Sequence, residues 1–112
     1  MISGKKRDAM LLELENKIGY QFTDPSVLFN SLTHSSYANE MGLKKGKNNE
    51  RLEYLGDAVL ELVTSEYVYK QYEDLSEGDL TKLRASIVCE PTLSNCARDL
   101  DIGHFIFLGK GE

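Results

Sequence analysis

Glu50, Glu53, Asp57 and Glu61 follow one another at spacings of three, four and four residues. Such spacings return to one side of an α-helix, because each residue turns the chain by about 100°. With Leu52 set at 0°, the four carboxylates fall between about 100° and about 180°, a strip roughly a quarter-turn wide. Like charges one turn apart repel by roughly a few tenths of a kcal/mol, and the nearest cation in sequence, Arg51, sits only at the far edge of the strip. Hard oxygen ligands arranged this way suit Mg²⁺, which keeps several waters and takes one or two carboxylates beside a substrate phosphate. Glu53 and Asp57, one turn apart, can point into one coordination sphere. Such an ion would acidify a water and neutralise charge on a phosphodiester. A merely solvated acidic face has the same spacing, so geometry alone leaves both readings open.

Other chemistry-bearing residues read differently. His34 has no acid or nucleophile near it in sequence to complete a catalytic set, so it is expected to satisfy the hydrogen bonds of a loop rather than act as a base. Lys44, Lys45 and Lys47 lie in a basic, glycine-containing loop that is either solvated or in touch with phosphate. Cys89 and Cys96 complete no zinc-like spacing and are expected as reduced, buried thiols of a cytoplasmic protein. Tyr54 falls at about 200° on the same wheel, where a large aromatic is either wasted in solvent or buried in a partner.

The elements that must position these residues are helical. Met10, Leu11, Leu14 and Ile18 repeat at helical spacing, with Gly19 as a left-handed stop. Asp24-Pro25 reads as a cap followed by a first-turn proline, opening a helix with Val27, Leu28 and Leu32. The longest helix is expected from about Asn49 to Tyr72, with Leu52, Leu55, Val59, Leu62, Val63 and Glu66 on its core stripe. Ser76, three residues before Asp79, opens the next, with Leu80, Leu83 and Ile87 inward. Pro91 begins another, carrying Leu93, Cys96, Ala97 and Leu100 inward and ending before Gly103. No period-two alternation of any length is visible, so the fold class is all-α, in one domain spanning residues 1–112.

Composition narrows the function classes. The net charge of −5 excludes a surface that is wholly a nucleic-acid clamp, but not a nuclease whose acidic centre holds metal between itself and phosphate. No apolar segment is long enough to span a bilayer, and no apolar targeting core follows the basic start. A cytoplasmic protein is expected.

The residues themselves narrow the reading further. Glu50-Arg51-Leu52-Glu53-Tyr54-Leu55-Gly56-Asp57-Ala58 closely resembles the signature segment of the ribonuclease III family. Leu32-Thr33-His34-Ser35-Ser36-Tyr37 resembles that family's upstream motif, and Ser76-Glu77-Gly78-Asp79-Leu80 with Leu83-Arg84-Ala85 its downstream one. Leu108-Gly109-Lys110-Gly111-Glu112 also fits, so the resemblance covers nearly the whole chain in the family's order.

The resemblance implies a Mg²⁺-dependent endoribonuclease, with Mn²⁺ as substitute, that cuts double-stranded RNA as a homodimer and leaves 5′-phosphate and 3′-hydroxyl ends in RNA processing such as ribosomal RNA maturation. It implies Glu53 as a metal ligand and Asp57 as the essential catalytic acid, itself on the metal or its water. Glu50 and Glu77 become acids lining the composite valley across the dimer. Tyr54 stands where the family has an aromatic residue, usually Phe, that plugs a socket in the partner. Gly56 would allow the close approach of another helix or serve a simple structural role. The family's nuclease domain continues with a helix bearing a second Asp and Glu, and usually with a double-stranded-RNA-binding domain. Neither is in this sequence, so the domain is expected to be incomplete at its C-terminal end and inactive alone, with Ile102 and Phe105 to Leu108 uncovered. Two other readings are a non-catalytic dimerisation or RNA-binding module, and a compact relative acting on ribosomal RNA. The paired acids favour the enzyme over the first, and the Glu50-Arg51-Leu52-Glu53 stretch favours the full-length enzyme over the second.

Overall fold

The computed structural model describes residues 3–112. Six α-helices run in order: α1 (Gly4–Ile18), α2 (Pro25–Ser31), α3 (Ser35–Glu40), α4 (Glu50–Gln71), α5 (Glu77–Ile87) and α6 (Glu90–Asp99), followed by a 3-10 turn over Ile102–Phe105. Among the described residues the only β pairing is an isolated parallel bridge between Thr33 and Phe107. The all-α class holds.

The helix boundaries follow local chemistry. Gly19 closes α1 in the left-handed region at φ 71° and donates its amide to Glu15 O, a conformation that costs a residue without a side chain little. Asp24 accepts from the Ser26 amide ahead of Pro25, and Ser76 Oγ accepts from the Asp79 amide at the start of α5. α6 ends at Asp99, before Gly103 as expected, and Asp101 takes the left-handed conformation after it, at φ 54°. An additional helix, α3, begins at His34, whose ring accepts from the Ser36 amide.

The buried core sits at one end of the molecule. Leu11 and Leu14 of α1, Leu28 and Leu32 of α2, and Phe105 and Phe107 form it, with Met10, Phe22, Phe29, Tyr37 and Ile102 packed at its margin. Phe107 meets the edge of Phe29 at 5.0 Å between ring centroids. The expectation that the segment from Phe105 to Leu108 lies uncovered is therefore overturned for its two phenylalanines. Phe105 and Phe107 point inward and Ile106 and Leu108 outward, the alternation that an extended segment imposes.

The long helix departs from expectation in the opposite sense. Leu55, Val59, Leu62 and Val63, expected in the core, are 51–71% exposed, whereas the buried residues of α4 are Thr64 and Val68. On the helical wheel those two fall at about 120° and 160°, in line with the acidic strip rather than with the apolar stripe. α5 packs along α4, and α6 returns to the 3-10 turn. The pair α4–α5 thus extends away from the core, and the molecule measures 53 × 26 × 24 Å. Its radius of gyration of 16.8 Å exceeds the about 13 Å of a compact chain of this length.

Candidate acidic site on the long helix

Glu53 and Asp57 stand in the first two turns of α4, both exposed. Among the described residues neither carboxylate has an ion-pair or hydrogen-bond partner. The start of their helix is held from two sides. Asn48 Oδ1 accepts from the Glu50 amide at 3.0 Å, and the amide of Asn49, the residue before the helix, donates to Thr33 O at 2.9 Å. Asn48 was not singled out in sequence. Its position two residues before Glu50, where an amide side chain can take a free helix amide, is the signal that could have found it.

The fourth carboxylate of the strip has a different role. Arg84 of α5 reaches across to Glu61 at 3.4 Å and donates to Ser65 Oγ at 2.9 Å. The strip is therefore not free of cations, as sequence neighbours alone implied; its neutralising partner comes from the next helix. The exposed pair contributes at most about 1 kcal/mol, but it fixes which carboxylates remain available. Glu61 is engaged, and Glu50, Glu53 and Asp57 are not.

Glu50 and Tyr54 line a cleft of about 650 Å³ with Val27, Asn30, Asn48 and Leu55. Tyr54 is 83% exposed. Among the described residues no atom lies within 4 Å of where a Cβ on Gly56 would stand, so none of them requires glycine there. Glu77 lies elsewhere, in a groove of about 410 Å³ with Leu62, Glu66, Tyr69 and Leu80. Glu66 is nine residues beyond Asp57, about 13 Å along the helix at 1.5 Å per residue. Within one chain, then, Glu77 does not join the Glu53–Asp57 pair. Among the described residues no group of three or more His, Cys, Asp or Glu converges. Two unpaired, solvent-facing carboxylates one turn apart nonetheless fit a cation that keeps most of its waters.

The remaining candidates take structural positions. His34 Nδ1 accepts from the Ser36 amide at 3.2 Å and lies 2.7 Å from Ser36 Oγ, so the ring caps α3. Lys44, Lys45 and Lys47 are exposed, in turns made possible by Gly42 and Gly46 at φ 65° and 85°. Both cysteines are free, but Cys96 is exposed and Cys89 only half-buried, so the expected burial of the two thiols is corrected. The apolar face of α6 holds too little of the core to cover them. A hydrogen bond from the Thr92 hydroxyl, with one from the Thr92 amide, holds the Cys89 thiol below its ordinary pKa. No helix among the described residues is long and apolar enough to cross a membrane.

Residues 24–112 match the family described as Ribonuclease-III-like. The chain is 56% identical over 103 residues to Ribonuclease 3 of Caldanaerobacter subterraneus, an alignment covering 92% of this chain and 45% of that protein. Against Ribonuclease 3 of Halalkalibacterium halodurans it is 52% identical over 107 residues, covering 96% of this chain and 41% of the relative. The chain thus spans less than half the length of these relatives. A solved nuclease domain of ribonuclease III from Campylobacter jejuni, described with structural flexibility in a region involved in dimer formation, superposes with a TM-score of 0.79 at 44% identity. That superposition covers 89% of this chain and 66% of the other.

Proposed function

The chain belongs to the ribonuclease III family, and from that premise we propose that it serves the endonucleolytic hydrolysis of double-stranded RNA, in RNA processing such as ribosomal RNA maturation in the cytoplasm. The observation that carries this reading is the separation of the acidic strip into two parts. Arg84 engages Glu61, while Glu53 and Asp57 remain exposed and unpaired among the described residues. A helix built only for solubility has no reason to leave two like charges one turn apart without a counter-ion. A phosphodiester-cleaving site does.

Glu53 and Asp57 would hold Mg²⁺, or Mn²⁺ in its place. When bound, the ion supplies charge neutralisation at the scissile phosphate and a more acidic water. Asp57 acts as the essential acid of the pair, fixed in place by the helix backbone. Glu50, at the start of α4 in the cleft beside Tyr54, and Glu77, at the start of α5 in the groove with Glu66, line different clefts within one chain. Their role is to line a valley composed across a two-fold dimer. Tyr54 and the exposed Leu55, Val59, Leu62 and Val63 supply an apolar surface of the kind that marks an association face, and we place α4 at the dimer interface with Tyr54 as its anchor. The products carry 5′-phosphate and 3′-hydroxyl ends.

The test is a gel assay of the full-length protein on a duplex RNA and on its separated strands, with Mg²⁺ and with chelator. Chelator-sensitive cutting confined to the duplex, with 5′-phosphorylated products, is the expected result. Equal cutting of single strands, or cutting indifferent to chelator, overturns the reading.

A further inference from the structure

Thr33 is fully buried at 0% exposure, and each of its polar groups has a partner. Its amide donates to Asn30 O at 3.2 Å and its carbonyl accepts from the Asn49 amide at 2.9 Å. Its hydroxyl donates to Phe29 O at 2.6 Å. The neighbouring backbone is stitched to the C-terminal segment: the Phe107 amide donates to Leu32 O at 2.8 Å, and the His34 amide to Phe107 O at 3.0 Å. Three stretches distant in sequence therefore meet at one residue.

The consequence lies at α4. Asn49, the residue before the helix, makes no capping bond with its side chain, yet its carbonyl accepts from the Glu53 amide at 2.8 Å. The backbone of Glu53 is thus two hydrogen bonds from Thr33. Besides this link the first turns of α4 are held by the Asn48 side chain at the Glu50 amide and by half-buried Leu52, while Tyr54, Leu55 and Val59 are exposed. The threonine hydroxyl, bonded to the carbonyl four residues earlier, fixes both its own χ1 and the end of α2. The backbone of residue 33, tied in this way to the end of α2, is the one whose carbonyl accepts from the Asn49 amide.

We propose that Thr33 is the positioning residue of the acidic helix, tying the start of α4 to the α1–α2 core so that Glu53 and Asp57 hold their place. This rests on the nuclease reading above. A displacement of about 1 Å at a reacting group costs up to about a hundredfold in rate, so loss of the anchor acts on turnover rather than on RNA affinity.

The experiment compares Thr33→Val, which keeps the shape and removes the hydroxyl, with Thr33→Ser, which keeps the hydroxyl. In the full-length protein, Thr33→Val is expected to lower kcat by about tenfold or more, with KM for duplex RNA within about twofold, and Thr33→Ser to restore most of it. Amide hydrogen exchange supplies a readout independent of activity. The Asn49 and Glu53 amides are protected in the wild type and lose protection in Thr33→Val, while Leu11 and Leu14 in the core keep theirs. Wild-type kcat in Thr33→Val overturns the proposal, as does a loss of protection equal at Leu14 and Asn49, which marks a merely structural role. Should Thr33→Val not fold, the wild type alone decides: an Asn49 amide exchanging as freely as an exposed loop shows that the anchor does not exist. If the wild-type protein leaves duplex RNA uncut, the functional reading fails separately. The exchange comparison then supports the anchor when Asn49 protection falls and overturns it when protection is unchanged.

Discussion

The amide of Gly109 donates to the hydroxyl of Ser36 at 2.9 Å, across 73 residues of sequence. Beside it the Lys110 amide donates to Glu40 Oε2 at 2.9 Å. A Cβ on Gly109 would stand 3.0 Å from both Ser36 O and Glu40 Oε2. The carboxylate can swing aside, but the Ser36 carbonyl belongs to the backbone of α3 and cannot. Gly109→Ala is therefore expected to destabilise the fold by about 1–3 kcal/mol, the usual cost of overpacking. Gly111→Ala, where nothing lies within 4 Å, should be near neutral. Urea denaturation of the two variants checks the contrast, and equal midpoints contradict it.

Asp24 sets a pH dependence. Its hydrogen bonds from the Ser26 hydroxyl and amide hold its carboxyl below the ordinary value. Because the folded pKa is depressed, the stabilisation is fully present above the unfolded value of about 3.9 and is lost as pH falls through the lower folded value. Asp24→Asn retains a capping side chain but removes the titration. Its stability is expected to fall less steeply than the wild type's below about pH 4, as read from thermal melts across that range. Parallel pH profiles contradict the assignment.

Tyr54 is expected to anchor a homodimer. Its 83% exposure within the chain leaves its surface for a partner. If it is fully buried there, Tyr54→Ala should weaken association by roughly 3–5 kcal/mol, as core aromatic deletions do. Sedimentation of the intact nuclease domain as a monomer, or unchanged dimerisation of the variant, contradicts the interface.

Residues 1–112 by themselves are expected not to cut duplex RNA. Glu53 and Asp57 are two ligands, and no larger acidic cluster converges among the described residues. An ion held so weakly adds little stability, since the gain follows RT ln(1 + [L]/Kd). Millimolar Mg²⁺ should leave the melting temperature of residues 1–112 nearly unchanged. Robust, chelator-sensitive cutting by this chain alone contradicts the expectation.

Local signals were legible in the sequence and tertiary ones were not. The caps at Asp24, Gly19 and Ser76 could be read because each depends on a bond within a few residues. α3 escaped notice because its cap is a histidine and its six residues, Ser35–Glu40, carry no apolar period. The inward faces of Phe105 and Phe107 were hidden because Phe105 to Leu108 are all apolar, so alternation leaves no mark on composition. The apolar residues of α4 share one stripe by their spacing alone, but the burial of that stripe depends on what packs against it, and here it is exposed. Within this chain α5 packs along α4, and the buried residues of that helix are Thr64 and Val68 instead. For the candidate site, the Glu53–Asp57 spacing was plain, whereas the Arg84–Glu61 pair joins residues of different helices and no helical wheel contains it.

Cleavage by Asp57→Asn tests the central claim most directly. The substitution keeps the size and shape of the side chain and removes the charge one turn from Glu53. In the full-length protein with saturating Mg²⁺, cleavage of a duplex RNA is expected to fall by orders of magnitude while binding of the same duplex survives. Near-normal cleavage by Asp57→Asn under those conditions would contradict the assignment of this acidic pair as the catalytic site.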